Sequence, residues 1–67
     1  MKQYFYLSRG QDGEAEGVCR LEQRRAKRLN LERLSDADAL KAYFENQMRF
    51  TPRALAAIRD LQANAGV

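Results

Sequence analysis

The sequence predicts a small α+β domain, mostly α, in which a short N-terminal strand is followed by three helices at about 13–29, 36–49 and 52–64. Three observations carry that expectation. An aromatic run without breakers, KQYFYLS, opens the chain. The segment from Arg20 to Arg28 consists almost wholly of strong helix formers. Two cap signatures, Ser35–Asp36 and Thr51–Pro52, each precede apolar residues at helical spacing. The 67 residues make a single domain, 1–67.

The first strand places Phe5 and Leu7 on one face and Tyr4 and Tyr6 on the other. Its backbone needs a neighbour, and two arrangements supply one. In the first, Asp12–Gly13 is a hairpin turn and residues 14–21 return as a strand. Arg9 then faces Glu16, Leu7 faces Val18, Tyr6 faces Cys19 and Tyr4 faces Leu21. In the second, Asp12 caps a helix over 13–29, with Glu14 and Glu16 in its first turn and Arg24, Arg25, Lys27 and Arg28 near its last, the order the helix dipole favours. Val18, Leu21 and Leu29 share a face of that helix, and Asn30 suits a left-handed C-terminal position. Gly17 counts against it by about 1 kcal/mol. More signals support the helix, which leaves the first strand to pair with its own copy across a homodimer.

The C-terminal half reads more simply. Ser35 caps a helix with Asp36 and Asp38 in its first turn and a stripe of Ala37, Leu40, Phe44 and Met48. Thr51 and Pro52 start the last helix, with Leu55, Ile58 and Leu61 as its apolar row. Leu31 to Leu34 read as a connector. The two capped helices invite comparison with a helix-turn-helix, in which Arg53, Arg59, Gln62 and Asn64 would be the reading residues. The joint Arg49–Phe50–Thr51–Pro52 lacks the turn glycine, which favours a plain helical hairpin.

Composition narrows the function classes. Cys19 is the only cysteine and there is no histidine, so an intrachain disulfide and a tetrahedral nitrogen–sulfur metal site are closed. No cofactor motif occurs. A core this small supplies about 3–5 kcal/mol, and association is the remaining staple, which again points to a homodimer. The single cysteine and the short apolar run Tyr4–Leu7 suggest a soluble cytoplasmic protein with no membrane role. The general type is that of small accessory proteins of bacteria and phages, a compositional likeness that implies no activity.

Charge is the most informative feature. The net charge is +3, yet residues 20–33 hold six of the 12 basic residues and two of the nine acidic ones, so the excess is local. The core of it is QRRAKR, Gln23 to Arg28. Arg20, Arg24, Arg25, Lys27 and Arg28 can follow a phosphate backbone, and arginine's planar fork suits phosphate. The same cations could instead meet an acidic protein surface, with Tyr4 and Tyr6 as interface anchors. Enzymatic activity is disfavoured: the usual general base is missing and Cys19 has no nameable activating partner. The expectation is a small non-enzymatic nucleic-acid-binding regulator; the alternative is a protein-interaction module such as an inhibitor or adaptor.

Overall fold

The computed structural model describes residues 2–65. Its elements in chain order are β1 (Gln3–Arg9), β2 (Ala15–Glu22), α1 (Gln23–Arg28), β3 (Glu32–Leu34), α2 (Asp36–Phe44), β4 (Arg49–Phe50) and α3 (Pro52–Ala65). The strands form one mixed sheet in the order β3-β1-β2-β4. β1 runs antiparallel to both β2 and β3, and β4 runs parallel to β2.

This corrects the mostly α expectation. Residues 15–22 are a strand, and only 23–28 of the expected 13–29 helix are helical. Local propensity favoured a helix through Arg20, Leu21 and Glu22, but pairing along β1 satisfies the backbone of both strands and overrides it. The hairpin register is Tyr4↔Leu21, Tyr6↔Cys19 and Leu7↔Val18, as the hairpin alternative expected, while Arg9 sits opposite Ala15. A bulge beyond Ser8 takes up Glu16, and Arg9 pairs instead with Glu32, at 3.1 Å. The homodimer route through the first strand closes for the same reason: β1 is interior, with β3 on one side and β2 on the other.

The hairpin loop is built from its polar side chains and one glycine. Gly13 N–H donates to Gly10 O (3.0 Å), Gly10 N–H donates to Glu14 O (2.8 Å), and Asp12 Oδ1 accepts from Glu14 N–H (3.1 Å). Gly13 has φ +82°, the left-handed position that a three-residue hairpin loop requires.

Register assigns the two faces of the sheet. Phe5, Leu7, Val18, Leu34 and Phe50 share one face, which α2 and α3 cover. Phe5, Val18, Ala39, Ala54 and Ile58 form the buried core there, and Phe5, Ile58 and Val18 are its largest fully buried side chains. Each contributes about 1.5–3 kcal/mol of burial free energy. Alanines at 39, 42 and 54 let both helices approach the sheet closely. The other face carries Tyr4, Tyr6, Ser8, Gly17, Cys19, Leu21, Arg33 and Arg49, and α1 lies over part of it.

The helix starts follow the sequence. Ser35 Oγ accepts from Asp38 N–H at 3.1 Å, and Thr51 Oγ1 accepts from Ala54 N–H at 3.2 Å. The end of α2 does not: it stops at Phe44 rather than near Arg49. Asn46 takes φ 54° and its N–H donates to Tyr43 O, while Gln47 N–H donates to Ala42 O. This paired closure terminates the helix and frees Arg49–Phe50 to join the sheet. The fully buried residues of α2 are Ala39 and Ala42; of the expected Ala37–Leu40–Phe44–Met48 stripe, Leu40 and Met48 pack partly buried against the core, whereas Ala37 is exposed and Phe44 is 66% exposed. With β4 between them, α2 and α3 do not form a helix-turn-helix.

Candidate functional site

The basic segment becomes α1, six residues long, directly after β2. Its first residue follows Glu22, whose side chain makes no cap bond. Its last turn holds Arg25, Lys27 and Arg28, placed favourably against the helix dipole. Asn30 at φ 56° closes it, with Asn30 N–H donating to Lys27 O (3.1 Å) and Leu31 N–H donating to Ala26 O (3.0 Å). Ala26, 1% exposed, anchors the helix on the sheet.

That anchor fixes where the charges point. At 3.6 residues per turn, Arg24 and Arg28 project opposite Ala26, Arg25 lies on one flank, and Gln23 and Lys27 lie on the other. Arg24, Arg25, Lys27 and Arg28 are all exposed. The one ion pair among the described residues joins Arg9 and Glu32, so none of these four cations is neutralised by a carboxylate contact. Arg20 does not belong with them. It sits on the opposite face of the sheet, half-buried, with its guanidinium 4.3 Å from the centroid of the Phe5 ring. The expected row of five is therefore a cluster of four, because the helix that would have aligned Arg20 begins three residues after it.

The two tyrosines also separate. Tyr4 is half-buried, and the Arg33 guanidinium stacks 3.7 Å from its ring centroid, with Lys2 Nζ at 5.9 Å. Both distances fall within cation–π range. Tyr6 is 4% exposed beneath α1, and its hydroxyl has no hydrogen-bond partner among the described residues. A buried polar group left in that state costs about 1–3 kcal/mol. Tyr6, Gln23, Lys27, Leu31 and Arg33 line a cleft of ≈ 230 Å³ between α1 and the strands.

Register sorts charge by face as well. In the regular ladder, the α1 side of the sheet carries Arg33 and Arg49 and no acid, whereas Glu22 and Glu32 fall on the helix-packed side. Arg33 and Lys2 are the residues that sequence reasoning missed. Arg33 lay in what read as a connector, and only the Tyr6↔Arg33 pairing brings it diagonally against Tyr4. The shared face of Tyr4 and Tyr6 was the available signal.

Cys19 is no part of this cluster. Its thiol donates to Tyr6 O at 3.6 Å, and burial pushes its pKa up, partly offset by a backbone hydrogen bond. An activated thiol would show the opposite shift. Among the described residues no helix is long and apolar enough to cross a membrane, and no group of three Asp, Glu or Cys side chains is placed to hold a metal ion. Comparison with protein-family models, curated proteins and solved structures finds no match for the chain.

Proposed function

We propose that this chain is a small, non-enzymatic nucleic-acid-binding regulator that contacts phosphates through α1. The observation that carries the reading is the exposure of Arg24, Arg25, Lys27 and Arg28 without a carboxylate contact among the described residues, on the side of the sheet whose strands add Arg33 and Arg49. A field of one sign that is not consumed internally attracts a polyanion and releases its counterions. Arginine's planar fork gives bidentate contacts to phosphate oxygens. Replacing Arg24, Lys27 and Arg28 together with glutamine should abolish binding to DNA and RNA while leaving the circular dichroism spectrum and the unfolding midpoint in place. All three side chains are exposed, so a folded variant that still bound would remove the proposal.

One observation favours the protein-interaction reading. Leu29, at the end of α1, is 56% exposed beside the cations. An apolar anchor within a basic rim suits an acidic protein surface better than a phosphate backbone. Capture of a stoichiometric protein partner that survives nuclease treatment, and is lost in Leu29→Ser, would favour that reading.

A further inference from the structure

We infer that the ligand is single-stranded nucleic acid, with one unpaired nucleotide held in the cleft between α1 and β3. The inference rests on the nucleic-acid reading and names the form of the ligand.

The geometry argues against a duplex reader. α1 has six residues, a length of about 9 Å, and it lies against the sheet through Ala26. A recognition helix must instead present an exposed face long enough to reach several base pairs in a major groove about 12 Å wide. Among the described residues the other two helices pack on the opposite face of the sheet, away from the basic surface.

The cleft offers what an unpaired nucleotide needs. The Arg33 guanidinium is a flat, exposed cation held over the Tyr4 ring, 3.7 Å from its centroid. Bases stack on such planes when they are not engaged in a duplex. Gln23 brings an amide that both donates and accepts, matching the edge of a base. Leu31 supplies apolar contact, and Lys27 supplies a point charge for the adjoining phosphate. Tyr6 lines the same cleft, and its hydroxyl is the buried polar group without a partner. The volume of ≈ 230 Å³ falls below the roughly 300–1,000 Å³ of sites for drug-sized ligands, which is the scale of one base. Arg24 and Arg28, on the outer side of α1, then carry the phosphates before or after that nucleotide.

The test uses the full chain and fluorescence anisotropy at one salt concentration. The probes are a mixed-sequence strand of about 12 nucleotides, within the span of one small single-strand-binding domain, as DNA and as RNA. The same DNA as a duplex and a strand of abasic residues complete the set. The expected result is binding of one or both single strands about tenfold tighter than the duplex or the abasic strand. Comparison of the DNA and RNA strands shows whether the 2′-hydroxyl is read. Arg33→Lys keeps the charge and removes the plane; it should erase the single-strand preference by lowering single-strand affinity towards that of the duplex. Equal affinity for all four probes, or an unchanged preference in Arg33→Lys, overturns this inference while the phosphate reading stands. No binding of any probe at low salt overturns both.

Discussion

Replacing Gly17 with alanine distinguishes the sheet from the helix by the sign of its effect. In the structure Gly17 is buried in β2, opposite Ser8 on one side and Arg49 on the other. A Cβ there would lie 2.8 Å from the Arg49 carbonyl oxygen and 3.4 Å from Ser8 Oγ. Even favourable carbon–oxygen contacts between strands sit at about 3.3–3.6 Å, so β4 must move by roughly half an ångström. The first neighbour to feel it is the bond from Thr51 N–H to Val18 O, 3.1 Å long, that ties α3 to the sheet. Overpacking of this kind costs about 1–3 kcal/mol. The reduced freedom of the unfolded chain offsets roughly 0.5–1 kcal/mol of it. The net expectation is a loss of about 1–2 kcal/mol. For a domain of this size each kcal/mol lowers Tm by about 4–8 °C. Urea unfolding followed by circular dichroism should show a lower midpoint with an unchanged slope. In a helix over 13–29 the same substitution would raise stability by about 1 kcal/mol. A variant at least as stable as the parent would refute the β2–β4 pairing.

Thr51→Ala removes the acceptor of Ala54 N–H and should cost about 1 kcal/mol in urea unfolding; no change would mean that this end of α3 is satisfied otherwise. Tyr6→Phe deletes a buried hydroxyl that has no partner among the described residues, so stability should rise, by up to about 1–3 kcal/mol. A loss of stability would reveal a hydrogen bond at this position. The Cys19 thiol, raised by burial, should be alkylated more slowly in the folded chain than in urea at the same pH. By linkage its neutral form contributes stability below the ordinary thiol range of about 8.5, and that contribution is lost as pH climbs through the higher folded value. Equal alkylation rates in the folded and unfolded chain would contradict the burial.

What could be read from the sequence was local. Ser35 and Thr51 announce their helices because a cap needs only its neighbours three residues on. Asn30 announces the left-handed end of α1 in the same way. The alternation Tyr4, Phe5, Tyr6, Leu7 correctly divides the faces of β1. The non-local pairings could not be read. Arg20, Leu21 and Glu22 carry helix propensity into a strand because their partners Phe5, Tyr4 and Gln3 lie far back in the chain. β3 and β4, at three and two residues, are too short to show any period. The stripe on α2 holds for Leu40 and Met48 but not for Phe44, because a helix lying close on a sheet buries its alanines most deeply. The site follows the same division. The cations of α1 are visible as a run of charge, while the departure of Arg20 to the other face and the stacking of Arg33 on Tyr4 depend on a register no local pattern displays.

The central claim is that the cations of α1 grip phosphate. It is tested most directly by titrating salt against binding to an unrelated duplex DNA and a structured RNA. Four exposed cations on α1 with Arg33 beside them predict a linear fall in log affinity with log salt, of slope about 4 on duplex DNA. The chain carrying glutamine at 24, 27 and 28 should bind neither probe. Absence of binding of the unsubstituted chain to both probes at low salt, or a slope unchanged by those substitutions, would contradict the claim.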